Sequence, residues 1–253
     1  MAIKKHIPNT ITCGNLLCGC IAILQTFEGN LVMASYLVGL AAILDFFDGF
    51  FARLLKVSSP IGKDLDSLAD MITFGLVPGL MIHRMLSMGY LVNHQAYEVI
   101  INHQWMVYIP LLIPIFSAIR LAKFNNDTRQ TDAFIGVPTP ANAILICAIP
   151  LIVNWNTQFE LKNSEYIHFL IQPYSLLFLS VVMSFLLVAE LPLFSLKFKQ
   201  FSWKGNEIRY VFLILSLISL ILFQYLGLAI AIVLYVGLSI LNNVFFKPTS
   251  QSN

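Results

Sequence analysis

Four aspartates carry most of the chemistry open to this chain. Asp45 and Asp48 lie three residues apart, Asp66 and Asp70 four apart, and apolar sequence flanks both pairs. On helices, Asp45, Asp48, Gly49 and Ala52 share one face, and Gly62, Asp66, Asp70 and Thr73 share another. The polar stretch from Arg53 to Ile61 is long enough to turn the chain and set two helices antiparallel, stripe against stripe. Carboxylates gathered this way repel one another, and inside a membrane each costs about 3 kcal/mol. A hard divalent cation such as Mg²⁺ or Mn²⁺ relieves both penalties. Metal ions held between shared aspartates stabilise displacement at phosphorus. The plainer reading is a helix pair with surface aspartates at a loop. Gly49, Ala52 and Gly62 speak against it, because they keep the same stripes small where a ligand needs room.

The elements that must position these groups are membrane helices. The chain has 253 residues, 58% hydrophobic and 11% charged, where soluble domains have about 25% charged. Mean hydropathy is +0.78. A span needs about 20 apolar residues, and candidates fall at 10–27, 31–52, 64–88, 105–123, 138–154, 174–192, 209–226 and 228–246. The last two, separated by little more than the Gly227 region, should form a tight hairpin. The expected fold is all-α: one polytopic transmembrane helical bundle over 1–253, about eight spans. Within it, 7–145 carries the aspartate pattern and its flanking polar segments, and 174–246 the additional C-terminal spans.

With the N-terminus inside, Lys4, Lys5, Arg53, Lys56, Lys63, Arg120, Lys123, Arg129, Lys197, Lys199, Lys204, Arg209 and Lys247 fall on the inner side. Only Arg84 and Lys162 fall outside. This bias puts both termini and the aspartates at the cytoplasmic face of the cell membrane. A net charge of +2 is too small to suggest nucleic-acid binding. Cys13, Cys18, Cys20 and Cys147 lack C-x2-C spacing and read as small packing residues. The five histidines show no zinc-site spacing.

Several flanking residues could join the aspartates. The first span opens with a polar run, Pro8 to Asn15, in which Asn9 and Thr12 share a face. They either bond between helices or reach a ligand held by the aspartates. Ser59 either donates to a phosphate or forms the turn. Arg120 and Lys123 satisfy the charge bias, yet at a helix end they also suit a carboxylate or phosphate. Gly75 and Gly79 form a small-x3-small pair for close packing, within the chain or in a homodimer, and Pro78 should bend that helix. Gly136-x-Pro138-x-Pro140 makes a rigid start to the fifth span. The alternating basic and apolar stretch 193–210 suits anionic headgroups.

Written out, the aspartate pattern is D-x2-D-G-x2-A-R-x8-G-x3-D-x3-D, filled by Asp45, Asp48, Gly49, Ala52, Arg53, Gly62, Asp66 and Asp70. It resembles the defining motif of the CDP-alcohol phosphotransferases at every fixed position. Asn9, the Leu65–Asp70 and Thr73–Gly75 segments, Arg120–Asn125 and Gly136–Ala141 are together similar to bacterial-type phosphatidylserine synthases. Ser67 and Met71 stand where phosphatidylglycerophosphate synthases usually carry Pro and Lys.

The resemblance implies a metal-dependent transferase that moves a phosphatidyl group from CDP-diacylglycerol to L-serine among membrane lipids and releases CMP. It implies a pair of Mg²⁺ or Mn²⁺ ions on Asp45, Asp48, Asp66 and Asp70, with Asp70 also taking the proton of the acceptor hydroxyl. Asn9, Thr12, Gly49, Ala52, Arg53 and Ser59 then contact CDP-diacylglycerol, and Arg120 and Lys123 contact the serine carboxylate. A sister acceptor is the nearest alternative: glycerol-3-phosphate, inositol phosphate or choline. A cation transporter is the rival from another class. It explains neither the small motif residues nor Arg53, and its acids would mark a path instead of clustering near one face.

Overall fold

The computed structural model describes residues 2–57, 59–87, 102–127, 133–158, 165–194, 202–203 and 205–245. Most of the outer segment expected at 89–104, the basic stretch around Lys197 and Lys199, and the tail from Pro248 lie outside these residues.

Helix α1 runs Ala2–Glu28 and α2 Leu31–Leu54. Asn30 starts α2, its side chain accepting from the Met33 N–H at 3.2 Å. Lys56, in a left-handed conformation (φ 52°), helps turn the chain after α2. Helix α3, Pro60–Asp70, begins on a cap: Ser59 accepts from the Gly62 N–H at 3.0 Å, and Pro60 occupies the first turn, where a missing N–H costs nothing. A π-helical segment, Met71–Leu76, then leads into α4, Val77–Ser87. Pro78 was the expected source of a bend; the widened turn instead precedes it, placed between Asp70 and the proline. Single π turns of this kind concentrate at functional sites.

A 3₁₀ segment, Gln104–Leu111, opens α5, Leu112–Asn126. Strand β1 (Ala133–Ile135), α6 (Thr139–Gln158), α7 (Glu165–Ile171), α8 (Pro173–Val188), strand β2 (Pro192–Phe194), α9 (Glu207–Phe223) and α10 (Tyr225–Phe245) follow. The β1–β2 ribbon is antiparallel, with Phe134 opposite Leu193. It is a small departure from the all-α expectation. Pro138 and Pro140 disfavour helix in the residues before them, and the segment left extended pairs with the one that leaves α8. Gly136 (φ 78°) sits against the Leu187 carbonyl, where a side chain would collide.

Among the described residues, six helices are long and apolar enough to cross a membrane. A seventh is the pair α7 and α8, bent by 60° at Gln172–Pro173. Helix α9, the remaining expected span, has 17 residues. The tight hairpin between α9 and α10 is present, but its turn is made by Gln224 in a left-handed conformation (φ 51°). Gly227 instead allows close approach to the Ser219 backbone.

The helices alternate in direction, and their ends meet at two poles. At one, Arg84 donates to the Phe27 carbonyl and the Tyr36 and Tyr225 hydroxyls bond at 2.9 Å. At the other, Lys63 donates to the Asn125 carbonyl at 2.7 Å, joining the start of α3 to the end of α5. The core between them holds Phe74, Met81, Ile82, Met85, Ile113 and Ile146, all buried. Gly75 and Gly79 lie against Ser117 and Pro114, so this small-residue pair serves packing between α4 and α5 inside the chain.

Candidate active site

Helices α2 and α3 bring their acidic stripes together at the Lys63 pole. Ligand oxygens of Asp45, Asp48 and Asp66 all lie within 4.8 Å of one another. Asp70 stands beside this trio, its carboxyl in contact with that of Asp45. Asp48 and Asp70 are buried; Asp45 and Asp66 are half-buried.

Helix α1 supplies the third wall. The Thr12 hydroxyl donates to Asp48 at 2.6 Å. The Asn15 amide donates to Asp70 at 3.2 Å, and the Asn15 carbonyl accepts from the Thr73 hydroxyl at 3.2 Å. Gly19 permits this closeness, because a side chain there would strike Thr73. Helix α1 therefore orients one carboxylate in each acidic pair.

The donor set fits a hard divalent cation. Carboxylate oxygens are the ligands such ions select, and clustered acids this deeply set require positive charge nearby. Arg53, exposed at the end of α2, is within electrostatic reach of Asp48. The side-chain oxygen of Asn15 is buried without a hydrogen-bond partner, a further hard acceptor next to Asp70.

A cavity of about 260 Å³ opens on Asp48 and Asp66, lined also by Pro8, Asn9 and Thr12 of α1, Gly49 and Ala52 of α2, and Val57, Ser59, Gly62 and Lys63 around the start of α3. Ser59 forms the turn, capping α3, and also lines the cavity. Gly49 is informative. A helical glycine costs about 1 kcal/mol relative to alanine, yet a β-carbon there would meet only the Arg53 guanidinium, at an ordinary 3.5 Å. Among the described residues no packing requires this glycine, which lines the cavity. Gly62 differs, since a β-carbon there would press on Asn9 and Ser59 at 3.0 Å each.

Arg120 and Lys123 do not line this cavity. They line a second one, of about 390 Å³, between the end of α5 and the end of α8. Arg120 is buried, yet its Nε finds no hydrogen-bond partner. Its guanidinium lies 5.7 Å from the Phe124 ring centre and within electrostatic reach of Asp70 and Tyr235.

Sequence reasoning overlooked Asn15 and Lys63 as site residues. Asn15 shares a helical stripe with Pro8 and Thr12, at i, i+4 and i+7, which could have revealed it. Lys63 faces the cavity and also ties α3 to α5, a pairing that no local pattern encodes.

The sequence profile of the CDP-alcohol phosphatidyltransferase family matches residues 5–241. Among curated proteins, the chain is 37% identical over 149 residues to a CDP-diacylglycerol–serine O-phosphatidyltransferase of Helicobacter pylori, covering 58% of each chain. It is 33% identical over 154 residues to the Bacillus subtilis protein of that name, 60% of this chain and 78% of the relative. An archaetidylserine synthase of Methanothermobacter thermautotrophicus is 28% identical over 149 residues, 57% of this chain and 58% of the relative. The chain thus spans little more than half the length of the Helicobacter pylori relative it matches.

Proposed function

Since this chain belongs to the CDP-alcohol phosphatidyltransferase family, we propose that it transfers the phosphatidyl group of CDP-diacylglycerol to L-serine and releases CMP. One observation carries the reading: the acidic stripes of α2 and α3 converge beside a cavity lined by Gly49, which no described residue requires to be glycine for packing. The choice of serine rests on the names of the relatives.

Asp45, Asp48, Asp66 and Asp70 would hold Mg²⁺ or Mn²⁺, supplying positive charge against the donor diphosphate and the departing CMP. Gly49 and Ala52 leave room for the cytidine nucleotide against α2, and Asn9, Thr12 and Ser59 face it from the opposite wall. Arg53 offers a planar fork to phosphate at the rim. Asp70, oriented by Asn15, accepts the proton of the serine hydroxyl. The hydroxyl oxygen forms a bond to the phosphorus bearing diacylglycerol, the bond from that phosphorus to the bridging oxygen breaks, and CMP leaves with the electron pair. Arg120 and Lys123 receive the serine carboxylate from the second cavity.

In this reading the site pole faces the cytoplasm, both termini lie on that side, and α9 is a short eighth span. Among the described residues, Lys63 reaches the Asn125 carbonyl at the site pole and Arg84 the Phe27 carbonyl at the other, and the charge bias of the sequence supports an inner side for Arg53, Lys56, Arg120, Lys123 and Arg209 as well. The acyl chains remain in lipid while the headgroup reacts at the interface.

The test is an acceptor screen on protein purified in detergent. With CDP-diacylglycerol, L-serine and Mg²⁺, CMP is released, and EDTA stops it. Release with glycerol-3-phosphate, inositol phosphate or choline but not with serine would assign a sister reaction.

A further inference from the structure

The second cavity has an acidic side that the reaction described above leaves unused. Leu187 and Val188, at the end of α8, and Glu190, just beyond it, line it opposite Arg120 and Lys123 of α5. Asp127, which ends α5, also lines it and is already engaged by a neighbour in the fold. Glu190 is solvent-exposed, whereas Arg120 is only 6% exposed and keeps an unpartnered Nε. A buried guanidinium donor without an acceptor is costly unless a ligand completes it.

We propose that Glu190 is the specificity-determining residue for an amine-bearing acceptor, taking its ammonium group while Arg120 takes its carboxylate across the same cavity. The inference rests on the serine reading and deepens it by assigning the other charged group of the zwitterion. The charges present are two cations from α5 and two carboxylates, one of which is engaged. That set matches a small molecule carrying both signs. It matches a phosphorylated polyol poorly, because Glu190 would repel the phosphate. A volume of about 390 Å³ holds an amino acid with water. Arg120 is within electrostatic reach of Asp70, and an acceptor anchored there has to turn its hydroxyl toward that proposed base to react.

The experiment follows incorporation of labelled L-serine into lipid by the full-length protein, with two competitors. Ethanolamine keeps the ammonium and lacks the carboxylate; 3-hydroxypropionate keeps the carboxylate and lacks the ammonium. Removing a hydrogen bond to a charged group costs about tenfold in affinity. Glu190→Gln is therefore expected to raise the KM for serine about tenfold and to weaken ethanolamine as a competitor in step. The inhibition constant of 3-hydroxypropionate, relative to that KM, falls. Arg120→Gln shifts the two competitors in the opposite sense, and Glu190→Asp recovers most of the serine KM. An unchanged serine KM in Glu190→Gln, or equal weakening of both competitors, overturns the assignment. Failure of the wild-type protein to incorporate serine at all is a different result: it removes the serine reading itself.

Discussion

The two cavities differ in how the chain builds them. The first is walled by α1, the end of α2 and the start of α3, three consecutive helices with a short turn between the last two. The second joins the end of α5 to the end of α8, segments that meet only through tertiary packing and the β1–β2 ribbon. Locally built walls leave a periodic signature in the sequence, and distant ones do not. The contrast also suits a division of labour, with the cytidine donor common to the family and the acceptor varying among its members. It predicts that variants in the first cavity lower turnover with every acceptor, whereas variants in the second change which acceptor is preferred.

The largest effect should come from Asp70, the proposed base. Asp70→Asn keeps the shape and removes the proton acceptor, and a loss on the order of a thousandfold in kcat is expected. Binding of CDP, read by calorimetry, falls much less. Equal loss of both would make Asp70 a metal ligand only. Asn15→Ala removes the amide that orients Asp70 at 3.2 Å. Loss of such an orienting partner costs roughly tenfold to a hundredfold, and the fall should be the same for every acceptor used. A drop confined to one acceptor would break the separation between the two cavities.

The smallest effect is the most discriminating. Gly49→Ala improves helix propensity by about 1 kcal/mol and meets no backbone or core side chain. The melting temperature should hold or rise while the KM for CDP-diacylglycerol rises about tenfold, a typical cost of overfilling a fitted site. An unchanged KM would show that the space beside Gly49 is not donor space.

The sequence exposes the first cavity almost whole. Asp45, Asp48, Gly49, Ala52 and Asp66 lie where helical spacing puts them, because one helical period governs both stripes; Asn9 and Thr12 share a face of α1, and Ser59 is legible as a turn residue. Asn15 and the π turn after Asp70 were not anticipated. The first depends on how α1 docks on α3; the second is a change of helical register that leaves apolar periodicity almost intact. The C-terminal region was the least legible. Apolar runs mark helices α8, α9 and α10, but the short ribbon, the bend at Pro173 and the cavity that Glu190 shares with Arg120 follow from packing.

The account depends most on the carboxylates of α2 and α3 sharing divalent cations. Mn²⁺ binding followed by electron paramagnetic resonance tests this without any turnover. Wild-type protein should bind Mn²⁺ saturably, with Mg²⁺ competing, and the combined Asp45→Asn, Asp48→Asn and Asp66→Asn variant, folded by its circular dichroism, should lose that binding. Mn²⁺ bound equally well by the triple variant would contradict the account.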